Sequence, residues 1–258
     1  MLIKITQHCS MNCSHCMNDA KPNNHHMSWD TYRKAIQFQL RYGGPLCILC
    51  GGEPTEHPQF TDFLEYALYN RLAVTVATNG VWMQNNYDYV KKIQDNYGPY
   101  AMWQVSNDPK YYRVHIDTSL PVFHLEHVII CSEIEHIYPM GRAKQNNIPW
   151  EAKASKCFNV RAVTKQLVLR PGKVTLENII YTLNSNHYFC TPHIGFDGSI
   201  VLGESDLCPP CSHIDDSEEK IITNILNFRC HQCDFINDKL APMYKVLIND
   251  SVKEATHV

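Results

Sequence analysis

The sequence predicts an α/β fold, a parallel sheet with crossover helices. Two patterns carry that expectation. Short apolar stretches of strand character, LIKIT, LCILC, LAVTVAT and YAMWQVS, take turns with longer stretches of helical periodicity. Each strand also runs into a loop of unusual composition: Cys9 to Cys16 after the first, Gly51 to Pro54 after the second, Thr78 to Gly80 after the third, Ser106 to Asp108 after the fourth. In parallel sheets the ligand sits beyond the carboxyl ends of the strands, so these loops should converge on one mouth. The length, 258 residues, with 44% hydrophobic and 19% charged, suits a single large α/β domain or one domain with an appendage.

Taken in order, LIKIT from Leu2 is the first strand. Ser28 is a good N-cap for the amphipathic run SWDTYRKAIQFQLRY, and Gly43-Gly44 stop it. LCILC is a short buried strand closed by GGEP. PQFTDFLEYALYNR is a helix, LAVTVAT a strand, NG a turn, MQNNYDYVKKIQDN a third helix and YAMWQVS a strand. A shorter helix is expected in DPKYYRVHI, then a strand in LEHVIIC. After about residue 185 the helical periodicity gives way to FCTPHIGFDGSIVLGESDLCPPC, two short strands joined at Asp197-Gly198. The expected division is 1–184 and a small cysteine-rich hairpin subdomain, 185–258, ending in an amphipathic helix, LAPMYKVLIND.

Net charge is −3 and the pI near 6.5, with no Lys/Arg run. That argues against a nucleic-acid polymer as partner, though not against a nucleotide-sized substrate. MLIKITQHCS lacks the apolar core of a signal peptide, and no apolar run approaches the ~18–20 residues of a spanning helix. A cytoplasmic protein away from membranes is expected. Its twelve cysteines would then sit in a reducing compartment, where clustered thiols point to metal ligation.

QHCSMNCSHC places Cys9, Cys13 and Cys16 in a C-x3-C-x2-C pattern. Thiolates suit zinc or iron–sulfur clusters, and three ligands leave one position open for chemistry. This spacing after a first strand, with GGEP after the second, resembles the radical S-adenosylmethionine (radical SAM) superfamily over about residues 1–145. The resemblance implies a partial (β/α)6 barrel. It implies that Cys9, Cys13 and Cys16 ligate a [4Fe–4S] cluster whose fourth iron binds SAM, and that cleavage of SAM yields a 5′-deoxyadenosyl radical that takes hydrogen from substrate. His15 would replace the aromatic that packs near the adenine. Gly51, Gly52, Glu53 and Pro54 would bind the SAM ammonium; their bland reading is an ordinary turn. Thr78 and Asn79 would lie near the ribose, or form only a turn. Ser106, Asp108 and Arg113 resemble a family segment in which the serine faces ribose or methionine and the arginine pairs with the SAM carboxylate. Alternatively, Asp108 caps a helix and Arg113 is solvated. YPMGRA, from Tyr138, resembles a G-R-A segment near the SAM site. Cys47, Cys50, Cys131 and Cys157 are read as structural, and His25-His26 as surface.

The second cysteine set allows two accounts. Cys208-x2-Cys211 with Cys230-x2-Cys233 has the spacing of a closed zinc site. Cys190-x12-Gly203-x4-Cys208, enclosing a hairpin, instead resembles the SPASM/Twitch region. That resemblance implies an auxiliary [4Fe–4S] cluster on Cys190, Cys208, Cys230 and Cys233, with Cys211 as an alternative ligand. The function implied is hydrogen abstraction from an unactivated C–H bond of a small molecule such as a sugar, aminocyclitol or nucleotide-like metabolite. Reductant would come from a flavodoxin or ferredoxin. A peptide substrate is the alternative, less favoured because Cys9 stands too near the start for a peptide-holding domain to precede it. A zinc-binding adaptor without catalysis is the remaining reading, and it leaves GGEP unexplained.

Overall fold

A computed structural model of the chain describes residues 1–112, 114–134, 136–137, 140–149, 151–152, 175–185, 191–203 and 208–228. Strands β1 (Leu2–Thr6), β2 (Leu46–Gly51), β3 (Ala73–Thr78), β4 (Ala101–Ser106) and β5 (Val128–Cys131) pair in parallel, each with the next. A two-stranded ribbon follows, β6 (His136–Ile137) with β7 (Glu151–Ala152). Strand β8 (Pro192–Ile194) returns to pair in parallel with β1 on its free side. Strands β9 (Ser199–Leu202) and β10 (Pro210–His213) extend that edge antiparallel. The sheet order is β10-β9-β8-β1-β2-β3-β4-β5, a mostly parallel α/β sheet consistent with a partial barrel. The expected hairpin is present. Asp197-Gly198 turns it, with Gly198 at φ +88, and β8 joins it to the main sheet.

Alternation along the strands decides which face is covered. Ile3 and Ile5 of β1, Leu49 of β2, Val74 and Val76 of β3, and Trp103 and Val105 of β4 belong to one buried apolar cluster. The helices that cross over on that face are α1 (Trp29–Phe38), α2 (Phe60–Tyr69) and α3 (Tyr87–Tyr97), and they supply Tyr32, Ile36, Phe63, Leu64, Val90 and Ile93 to the same cluster. The Tyr32 ring stacks on Phe63 at 3.9 Å between centroids, and its hydroxyl donates to the Phe63 carbonyl at 2.7 Å. Residues on the opposite face, such as Cys50, Thr75, Met102 and Ser106, are half-buried, and Gln104 is exposed. This is the face a partial barrel turns toward its lumen.

The N-cap expected at Ser28 forms, its Oγ accepting from Thr31 N at 3.2 Å. The helix then widens into a looser turn over Gln39–Gly43 and ends at Gly44, φ +75. One expected helix is absent from the described residues. In DPKYYRVHI the Asp108 carboxylate takes the Lys110 and Ile134 amides, and its carbonyl receives both Tyr111 N and Tyr112 N, which closes a turn. Among the described residues, three helices are additional to the expected ones: α4 (Gly141–Gln145), α5 (Leu176–Ser185) and α6 (Glu218–Asn227). Ser217 caps α6, accepting from Lys220 N, and Ile221 and Ile225 join the main core beside Leu176, Ile179, Ile180 and Leu183 of α5. The expected helix LAPMYKVLIND lies outside the described residues. No described helix is long and apolar enough to cross a membrane.

Candidate functional site

The loop that follows β1 holds all three N-terminal cysteines. Cys13 is buried and Cys9 and Cys16 are half-buried. The loop lies alongside the GGEP segment: Gly52 N donates to Thr6 O at 2.7 Å and Glu53 N to His8 O at 2.8 Å. That closeness explains the two glycines. A Cβ at Gly51 would stand 2.1 Å from Thr6 O, and one at Gly52 2.2 Å from His8 O. The glycines bring the second loop against the cysteine loop.

Glu53 ties in the third loop. Its carboxylate is buried and accepts from Thr55 Oγ1 (2.6 Å), Thr55 N (3.2 Å), Thr78 Oγ1 (2.6 Å) and Asn79 N (2.7 Å). Burial nevertheless raises its pKa, because desolvation outweighs the four donors. Asn79 Oδ1 accepts from Val81 N at 2.9 Å, whereas its Nδ2 is buried with no partner among the described residues. A buried donor of this kind is costly unless an acceptor arrives from outside.

His15 sits between the rings of Tyr111 and Tyr112, each centroid 5.0 Å away. Its Nδ1 is buried with no partner among the described residues, and burial pushes its pKa down to about 4, so the ring is neutral at pH 7. The Tyr112 phenol contacts Ser106, and burial raises its pKa with Cys13, Glu53 and Cys16 nearby. The fourth loop therefore reaches the cysteine loop through Tyr112, a residue the sequence reading did not select. Asp108 instead serves its own turn and Ile134 N. Arg113 and Tyr138 lie outside the described residues.

Glu56 is another residue sequence reasoning missed. It accepts from Ser10 N at 2.9 Å and from Ser10 Oγ, and pairs with His8 Nε2 at 3.0 Å, bracing the loop on either side of Cys9. Burial pushes the Cys9 thiol up to about 12. His25 and His26 are exposed, as expected, although His26 bonds Thr6 and His25 stacks on Phe196.

Of the second cysteine set, only Cys208 and Cys211 fall within the described residues; Cys190, Cys230 and Cys233 lie outside them, as does Cys157. Cys208 tucks under Gly203, where a Cβ would stand 2.4 Å from its Sγ. Cys211 packs against the main apolar core, and burial pushes its thiol up to about 12. Among the described residues, no three His, Cys, Asp or Glu side chains converge on a point that could hold one metal ion. Three thiolates of a cubane bind three different irons and need not converge. The donor set, the glycine-lined approach and the two orphaned buried nitrogens fit a cluster with a polar organic ligand beside it.

Residues 3–116 match the model of the Radical SAM superfamily. GTP 3′,8-cyclase of Photorhabdus laumondii is 27% identical over 125 residues, 43% of this chain and 38% of that protein. The Bacillus subtilis subtilosin biosynthesis protein AlbA is 28% identical over 82 residues, 31% of this chain and 18% of that protein. The matched stretch thus spans less than two fifths of either relative. Among solved structures, BtrN in complex with AdoMet and 2-DOIA aligns with a TM-score of 0.53 at 13% identity, over 95% of this chain and 85% of that one. Streptococcus suis SuiB bound to S-adenosylmethionine aligns with a TM-score of 0.53 at 13% identity, over 88% of this chain and 67% of that one. The likeness is one of fold.

Proposed function

We propose that the protein is a radical SAM enzyme that removes hydrogen from an unactivated C–H bond of a small molecule. One observation carries the reading: the loops after β1, β2 and β3 are hydrogen-bonded into one unit, through Thr6, His8, Glu53, Thr78 and Asn79, at the carboxyl ends of adjacent parallel strands. When bound, a [4Fe–4S] cluster with SAM supplies the one-electron cleavage of SAM that makes such abstraction possible. Cys9, Cys13 and Cys16 hold the cluster. Gly51 to Pro54 form the wall beside it, with Glu53 as internal strut. The neutral His15 ring offers a flat face to the adenine, and Asn79 Nδ2 offers a hydrogen bond to a ribose or adenine acceptor. Ser106 and Tyr112 close the fourth side. The sheet face bearing Cys50, Met102 and Gln104 receives the substrate and shields it from water.

Cys208, brought close by Gly203, is proposed as a ligand of an auxiliary [4Fe–4S] cluster with Cys190, Cys230 and Cys233. Cys211 stays in the core, which weakens the four-cysteine zinc account. Support for a small substrate comes from BtrN, whose structure carries 2-DOIA and aligns over most of both chains. A flavodoxin or ferredoxin in the cytoplasm would deliver the electron. The test is anaerobic incubation of reconstituted protein with SAM and dithionite. We expect 5′-deoxyadenosine and methionine, and none from Cys13→Ala. Failure of the loaded wild type to cleave SAM overturns the reading. Faster SAM cleavage with added peptides, and none with sugars or aminocyclitols, transfers the proposal to a peptide substrate.

A further inference from the structure

Among the described residues the cysteine loop has no sheet partner for most of its backbone, and Asn12 (φ +49) and Asp19 (φ +53) sit in the left-handed region. Such a segment holds its shape only if other groups take its carbonyls. They come from α4, some 130 residues later in the chain. The buried Arg142 donates through Nε to Cys13 O at 2.9 Å, and through Nη1 to Ala20 O at 2.7 Å and Asp19 Oδ1 at 3.0 Å. Its backbone N donates to Cys16 O at 2.9 Å. Asn146 Nδ2 donates to Ser14 O at 2.9 Å. Gly141 (φ +52) is pressed so close that a Cβ would stand 2.7 Å from both Cys16 O and Met17 O.

We infer that Arg142 is the positioning residue of the cysteine loop, a clamp that sets the spacing of Cys13 and Cys16 before any metal is loaded. The inference rests on the reading that these cysteines hold a cluster. Every described hydrogen bond of the guanidinium goes to the loop. A planar fork can grip Cys13 O and Ala20 O together and still pair with Asp19; an ammonium cannot hold the same fixed geometry. Glu56 braces the loop near Cys9 in the same manner from the other flank, so the three thiols are held between an acidic and a basic anchor.

The test compares Arg142→Met, Arg142→Lys and Asn146→Ala with wild type. In the metal-free, reduced chain, iodoacetamide alkylation is followed by mass spectrometry at Cys13, with buried Cys47 as internal control. Loss of the charged hydrogen bonds should make Cys13 react roughly tenfold faster in Arg142→Met, less in Arg142→Lys, and by about twofold in Asn146→Ala, with Cys47 unchanged. After anaerobic reconstitution, Arg142→Met should release iron to a chelator faster by a similar factor. The EPR signal of its reduced, SAM-bound cluster should broaden, and Arg142→Lys should restore it in part. Unchanged Cys13 reactivity and iron release in Arg142→Met overturn the inference. If Cys47 also reacts faster, Arg142→Met has lost its fold and Asn146→Ala decides, by acceleration confined to Cys13 or by none. If wild type takes up no iron, the functional reading fails, while the alkylation rates still judge the clamp.

Discussion

Thr78→Val removes one hydroxyl from the junction of the second and third loops and keeps the side chain's shape. The hydroxyl donates to Glu53 Oε1 at 2.6 Å and accepts from Gly80 N at 3.1 Å. A hydrogen bond to a charged group is worth about 1.5–3 kcal/mol, and an orphaned buried N–H costs about 1–3 kcal/mol. The added buried methyl returns about 1 kcal/mol. A net loss of roughly 1.5–5 kcal/mol is expected. Urea denaturation of the metal-free, reduced protein at pH 7.5 measures it, as a lower midpoint at unchanged slope. The gap should depend on pH with a definite sign. Burial already holds the Glu53 pKa above its ordinary value, and losing a donor raises it further. A raised carboxyl contributes stability that is present in acid and lost as pH rises through the folded pKa, so the deficit of Thr78→Val should widen from acid toward neutral pH. A variant within about 0.5 kcal/mol of wild type both in acid and at pH 7.5 would refute the reasoning.

Further outcomes follow from other contacts. The buried His15 has a folded pKa of about 4, below its unfolded value, so its contribution is complete above pH 6.5 and falls as pH drops toward 4. The metal-free wild type should lose about 3 kcal/mol of stability across that window, and His15→Phe should remove this component of the pH profile. Tyr32→Phe deletes the hydroxyl bonded to the Phe63 carbonyl and should cost about 1–1.5 kcal/mol in the same urea assay. Gly51→Ala forces a Cβ to within 2.1 Å of Thr6 O at φ +138. It should lower stability by roughly 2–4 kcal/mol and reduce iron uptake, read by chemical analysis of the reconstituted protein.

The strands and helices of the first hundred residues were legible because each carries its own period and its own punctuation. Ser28 caps, Gly44 stops, and Ile3 and Ile5 point one way while Lys4 and Thr6 point the other. The missed helix after β4 shows the limit of that reading. Asp108 looks like a helix cap in sequence, but its carboxylate is committed to Ile134 N, a partner 26 residues away. The parallel pairing of β8 with β1 is likewise non-local, and nothing in PHI announces it. At the candidate site, cysteine spacing and GGEP marked two loops that the structure brings side by side. What they could not disclose was how the loops are held. Glu53 reads as a ligand group and is spent on Thr55, Thr78 and Asn79; Arg142 reads as one letter of a short motif and is spent on loop carbonyls. Glu56 could have been suspected only from its place three residues past Glu53.

The central claim is that Cys9, Cys13 and Cys16 hold an iron–sulfur cluster that binds SAM. The most direct measurement is iron, sulfide and zinc per chain in anaerobically purified wild type and in the Cys9→Ala/Cys13→Ala/Cys16→Ala variant, with the EPR spectrum of each reduced sample before and after SAM. The account predicts a loss of about four irons and four sulfides in the variant. It also predicts a wild-type signal that changes on adding SAM, and none at that site in the variant. Equal iron in the two proteins, or zinc without iron in the wild type, would contradict it.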